Sequence, residues 1–241
     1  MMERSFSEVL DDVKKNYFEI TENITRAAEK SGRKYEDITF LAATKTVEPA
    51  VINHAVSLGL RYIGENKVQE LLSKYDEYDL KNCDLQFIGH LQTNKVRQII
   101  DKVSMIQSVD SVKLANEISK QSIKNSLVSN ILLEVNIGRE ENKSGVLEEE
   151  LDELIEKVSA MPNIQIRGLM TIPPVCEKKI EVCKFFDKMY KLFIDISSKK
   201  SDNVYMDYLS MGMSDDYEEA VLCGANMVRI GSRLFGSRIY R

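Results

Sequence analysis

The first residue in this sequence placed for covalent chemistry is a lysine at the end of an apolar run. Lys45 follows Ile38–Ala43 and lies between Thr44 and Thr46. A lysine at a strand end is held by a rigid element. Its ordinary pKa of ~10.4 makes it a poor nucleophile, but desolvation and nearby positive charge lower that value. In that state it could form a Schiff base with a carbonyl compound. The competing reading is a solvated lysine at a strand terminus. Lys and Arg together number 33, so position alone favours the solvated reading.

Two glycine–serine stretches offer anion-binding chemistry. Ser210-Met211-Gly212-Met213-Ser214 follows one apolar run, and Gly231-Ser232 follows another, ahead of Arg233–Phe235, which is able to make one helical turn. Glycines let backbone N–H groups approach an anion, and serine hydroxyls complete such a cradle. Ordinary turns and helix caps would look the same. Asp215, Asp216, Glu218 and Glu219 crowd the residues after the first stretch. Carboxylates there suit a helix start but repel a phosphate, which favours Gly231-Ser232. Arg229 sits inside the apolar run Met227–Ile230 and needs acceptors, either a carboxylate or a ligand. His90, after Phe87-Ile88-Gly89, reads as a hydrogen-bonded structural residue. With only His54 and His90 present, a histidine-based zinc site is not expected.

The elements that must position these residues alternate along the chain. Eight β-rich runs are expected: Ile38–Ala43, Arg61–Gly64, Leu85–Gly89, Met105–Ser108, Asn130–Asn136, Gln165–Met170, Val204–Ser210 and Met227–Ile230. Helical patterns lie between them at Pro49–Leu58, Val68–Tyr75, Asn94–Lys102, Ser111–Lys124, Leu147–Ala160, Ile180–Ser198 and Asp215–Cys223. A long N-terminal helix precedes the first strand. Its apolar stripe runs Phe6, Val9, Leu10, Val13, Tyr17, Ile20, Ile24 and Ala28, capped by Ser5 or Ser7 and ended at Ser31-Gly32. Repeated β-then-α units imply parallel strands and right-handed crossovers. The expectation is α/β, a single (β/α)8 barrel with an extra N-terminal helix, against a doubly wound open sheet as the alternative. Residues 1–32 form the helix, 38–236 the barrel and 1–241 one domain. The candidate residues then cluster at the C-terminal strand ends, where barrels carry their sites.

Composition removes other classes. The chain has 241 residues, 43% hydrophobic and 29% charged, as in soluble globular proteins. A net charge of -5 argues against nucleic-acid binding by phosphate neutralisation. No apolar run approaches the ~20 residues of a membrane helix. The charged start MMERSFSEVLDD lacks the core of a secretory signal, and Cys83, Cys176, Cys183 and Cys223 form no CxxC. A cytoplasmic protein with reduced thiols is expected.

Several strings carry a resemblance in one consistent order. They are LAATKT around Lys45, YIGENKVQE at 62–70, FIGHLQTNK at 87–95, QSVDS at 107–111 and LLEVNIGREENKSG at 132–145. RGLMTIPP at 167–174, LSMGMSDDYEEA at 209–220 and MVRIGSRLFG at 227–236 complete the set. Together they resemble the pyridoxal-phosphate homeostasis proteins of the YggS/PROSC type. Local departures are Gln107 where histidine is frequent, Gly138-Arg139 in place of a Ser-Gly-like pair, and Ser232 for the usual threonine.

That resemblance implies a barrel similar to the alanine racemase N-terminal domain. It implies pyridoxal 5'-phosphate (PLP) as cofactor, held as an aldimine on Lys45. Ser210, Gly231 and Ser232 would hold the phosphate, with backbone groups of Met211 and Ser214. Arg229 would face the pyridine nitrogen, and Asn66 would lie close to the cofactor. Arginine only donates, so that nitrogen stays an unprotonated acceptor and the ring a weaker electron sink. The racemases draw an opposite-face acid or base from another subunit's added β domain, which is not expected here. The implied role is intracellular vitamin B6 homeostasis without appreciable turnover, as a monomer, with PLP-dependent apo-enzymes as possible acceptors. A small PLP-dependent racemase-like enzyme and a Schiff-base aldolase are the alternatives.

Overall fold

The structure, a computed structural model, describes residues 5–199 and 201–236, so the expected bounds 1–241 run past it at both ends. Eight strands pair in sequence order, all parallel, into a closed barrel. They are β1 Thr39–Ala43, β2 Tyr62–Glu65, β3 Asp84–Phe87, β4 Met105–Val109, β5 Ser129–Glu134, β6 Ile164–Met170, β7 Val204–Ser210 and β8 Met227–Ile230. Closure is made by β8 against β1, which sets Leu41 beside Arg229 and Ala42 beside Ile230. An open sheet is thereby excluded.

Both faces of most strands are buried, so the runs read as nearly continuous apolar segments. One face packs under the surrounding helices. The other fills the barrel with two small clusters: Leu41, Ala43 and Ile88 against Tyr62, and Met105, Leu132 and Met170 against Tyr208. Gly64 belongs to this interior. A side chain there would come within 2.7 Å of Leu41, so the narrow barrel requires glycine at that point.

The helices are α1 Phe6–Lys30, α2 Pro49–Ser57, α3 Val68–Lys74, α4 Val96–Ile99, α5 Val112–Lys124, α6 Glu148–Ser159, α7 Lys179–Ser198, α8 Tyr217–Leu222 and α9 Ser232–Phe235. Ser5 caps α1 in a reciprocal arrangement with Glu8. Val13, Tyr17, Ile20, Ile24, Ala27 and Ala28 form its buried stripe. Polar contacts then fasten α1 over the closing seam. Asn16 donates to the Leu234 carbonyl at 3.0 Å, and Asn23 to the Tyr217 hydroxyl at 2.8 Å. The expected helix over Asn94–Lys102 is the one marked departure. A 3-10 turn at Thr93–Lys95 passes into the single turn α4, which suffices to bury Val96 and Ile99. None of the helices among the described residues is long and apolar enough to cross a membrane.

Candidate functional site

The expected site residues come from strand ends that only barrel closure makes neighbours. Lys45 lies one residue beyond Thr44, whose amide donates to the Gly64 carbonyl at 3.0 Å. Lys45 is half-buried, and Thr46 after it has φ of 63°. On the other side of β1, Gly231 presses against Ala43. A Cβ at 231 would lie 3.0 Å from the Ala43 carbonyl oxygen. Glycine thus brings the Gly231–Ser232 turn against the strand that carries Lys45. Asn66 follows β2 and packs against Gly89, where a Cβ would overlap the Asn66 carbonyl. The side-chain oxygen of Asn66 is buried and has no hydrogen-bond partner among the described residues.

Arg229 projects into the barrel and is 4% exposed. Its acceptors are neutral: Nη1 donates to Ser210 Oγ at 2.6 Å and Nη2 to the Thr171 carbonyl at 2.8 Å. Ser210 in turn donates to Gln107 Oε1 at 2.7 Å, and Gln107 Nε2 donates to Gln86 Oε1 at 2.6 Å. This chain of donors runs in one direction and fixes the guanidinium. Burial pushes Arg229 down to about 10, opposed by the charges of Glu134 and Asp216. Ser210 is fully buried, with its hydroxyl held between Arg229 and Gln107. Met211 is likewise buried, with its amide donating to the Met227 carbonyl at 3.1 Å.

The two glycine–serine stretches meet. Ser214 Oγ accepts from the amides of Gly231 at 3.2 Å and Arg233 at 3.3 Å. Ser232 between them is exposed. Of the acidic residues expected to repel a phosphate, Asp216 is tied down by the Met213 amide at 2.6 Å. Glu219 pairs with Lys179, and Asp215 is exposed. The objection to the first stretch weakens for Asp216 and Glu219, which have other partners, and stands for Asp215 and Glu218.

Glu134 was not singled out from the sequence. It ends β5, is 7% exposed, and burial with the Asp110 charge pushes it up to about 7, opposed by Arg229. A carboxylate in the run Ile131-Leu132-Leu133-Glu134-Val135 is the same signal that drew attention to Arg229. His90 is exposed and its Nδ1 meets Ser144 Oγ at 3.1 Å, a surface contact at the mouth.

Comparison with known proteins gives the family. Residues 16–239 match the family described as alanine racemase, N-terminal domain. A pyridoxal phosphate homeostasis protein of Aquifex aeolicus is 46% identical over 223 residues, covering 92% of this chain and 96% of that protein. This chain belongs to the pyridoxal phosphate homeostasis protein family. The Escherichia coli K12 member of the family is 35% identical over 96% of this chain and 99% of its own length. Among solved structures, PipY of Synechococcus elongatus with PLP bound superposes with a TM-score of 0.78 at 29% identity, over 90% of this chain and all of PipY. Alanine racemase from Corynebacterium glutamicum, 14% identical with a TM-score of 0.69, shares the fold, and this chain spans 62% of its length.

Proposed function

We propose that this chain binds pyridoxal 5'-phosphate at the barrel mouth, attached to Lys45, and serves PLP homeostasis as a carrier without appreciable turnover. The observation that carries the reading is the placement of Lys45 and the Gly231–Ser232 turn on adjoining strands, with a buried donor-only Arg229 beside them. The family's PLP-bound member supports the choice of ligand.

The residues present fit this cofactor. Ser232 and Ser214 offer hydroxyls suited to a phosphate, Gly231 lets the turn approach it closely, and Ser210 and the backbone of Met211 complete the proposed set at the end of β7. The orphaned Asn66 oxygen offers an acceptor near Lys45. When bound, PLP supplies an aldehyde that condenses with a lysine amine, with loss of one water. Lys45 must therefore arrive as a neutral amine. Arg229 donates to whatever faces it and has no proton to exchange near neutral pH, so it orients a ring nitrogen without protonating it. The described chain, helix and barrel together, then acts as one cofactor-binding unit in the cytoplasm. Release to a PLP-dependent apo-enzyme is the delivery step.

Borohydride reduction of PLP-treated protein tests attachment. A pyridoxyl mass should map to the Lys45 peptide and vanish in Lys45→Ala. Its absence from wild type would remove the reading. Transfer to an apo-enzyme in the presence of a trap for free PLP tests delivery, and transfer no faster than release would leave binding without carriage. One observation favours amino-acid chemistry instead, namely Glu134 near the mouth with a near-neutral pKa. Sustained turnover of an amino acid, lost in Glu134→Gln, would establish that second reading.

A further inference from the structure

A buried ionic cluster grips the backbone around Lys45 from the helix side of the barrel. Glu65 ends β2 on the face that carries Ile63 into the main core, and it is fully buried. Its Oε1 accepts from Thr44 Oγ1 at 2.8 Å, Tyr78 OH at 2.7 Å and Lys74 Nζ at 3.2 Å. Lys74, from α3, also donates to the Thr44 carbonyl at 3.2 Å and to Glu70 Oε1 at 2.6 Å. Glu70 completes the circuit by accepting the Thr46 amide. Thr44 is thus held at its hydroxyl and its carbonyl, and Thr46 at its N–H. Lys45 is the residue between them.

The conformation being held is a costly one. Thr46 is β-branched and sits at φ of 63°, where such residues are rare and persist only when their surroundings over-determine them. A buried charge cluster is also seldom the cheapest way to stabilise a fold, since ion desolvation opposes the attraction. Two unfavourable features meet at one turn, and both act on the residues that flank Lys45.

We propose that Glu65, Glu70 and Lys74 form a clamp that positions Lys45, so that its amine reaches the bound aldehyde in one geometry. The proposal rests on the functional reading above. Glu70 is the accessible member, with its side chain 17% exposed, and is the one to remove.

The test uses Glu70→Ala and the conservative Glu70→Gln, which keeps an acceptor for Thr46. Three quantities are measured on the full chain. Hydrogen exchange at the Thr46 amide of the free protein should rise about tenfold or more in Glu70→Ala, with β1 amides unchanged. The rate of covalent attachment of PLP should fall by about tenfold or more, because misplaced reacting groups lose rate steeply. Affinity for pyridoxine 5'-phosphate, which has the phosphate but no aldehyde, should stay within about twofold, because the cradle is untouched. Glu70→Gln should recover most of both losses, and should Glu70→Ala not fold, Glu70→Gln carries the same measurements with a change of about threefold. Faster exchange with unchanged attachment overturns the positioning role, as does unchanged exchange. Attachment and pyridoxine 5'-phosphate affinity falling together overturn it too, in favour of general damage. If wild type attaches no PLP at Lys45, the functional reading fails, and the exchange measurement alone decides the clamp.

Discussion

Two polar networks flank the barrel mouth, and they are built on opposite principles. Behind β1 and β2, Glu65, Glu70 and Lys74 bring opposite charges together and grip backbone atoms. Inside the barrel, Arg229 is a single buried cation whose hydrogen bonds go to a hydroxyl and a carbonyl. The first network sets two carboxylates around one ammonium, so its cation is fully paired. The second holds a charge that its neutral partners only orient. A cation paired with carboxylates suits a part that must stay still, whereas a cation with neutral acceptors suits a part that awaits a ligand.

Breaking the first network should cost the most. Lys74→Met leaves Glu65 and Glu70 without their cation and is expected to destabilise the free protein by about 3–5 kcal/mol in urea unfolding. A loss below about 1 kcal/mol would mean that water already screens the cluster, and the contrast with Arg229 would fade.

Glu134 sharpens the contrast from the Arg229 side. Its carboxyl ionises near ~4.3 in an unfolded chain but at about 7 here. Between those values the folded state holds more protons, so this contribution is intact at acid pH and is lost as pH rises through about 7, amounting to about 3 kcal/mol. Glu134→Gln should therefore flatten the change in unfolding midpoint between pH 5 and pH 8. A variant that tracks wild type across that range would show that Glu134 titrates normally.

Arg229→Met should separate the two networks by kind of effect. PLP affinity should drop by about 1.5–3 kcal/mol, the range for hydrogen bonds to charged groups, while the free protein loses less than in Lys74→Met. Equal stability losses in the two variants would erase the distinction. Smallest is Ser214→Ala, which strips the acceptor from the Gly231 and Arg233 amides. An expected loss of about 1 kcal/mol, read from thermal unfolding, matches the usual worth of such a cap.

Much of the fold was legible because periodicity reports it directly. The β7 and β8 runs match the observed strands at both ends, and the α1 stripe matches its buried face from Val13 to Ala28, whereas Phe6 at its start is exposed. The expected α4 was too long, since polar Gln98 and Lys102 extend a helical pattern that Val96, Ile99 and Ile100 anchor in the core. Lys45, Arg229 and the Gly231–Ser232 turn stood out because each contradicts or punctuates an apolar run. Glu134 carried the same signal and was passed over. Glu70 and Lys74 were hidden for a different reason: spaced i,i+4 on a helix, they read as an exposed surface pair.

The sequence by itself determined that eight β/α units follow one another and that a lysine and two glycine–serine turns end their strands. Local propensity and hydrophobic period act within a few residues, so they settle such matters without knowing the rest of the chain. Only the tertiary structure decided which strand ends touch. Residues 45 and 231 adjoin because β8 closes on β1, and Glu70 and Lys74 are largely covered because α3 lays them against the ends of β1 and β2. Closure is a long-range event whose energy comes from burying the whole barrel, and no short window of sequence contains it.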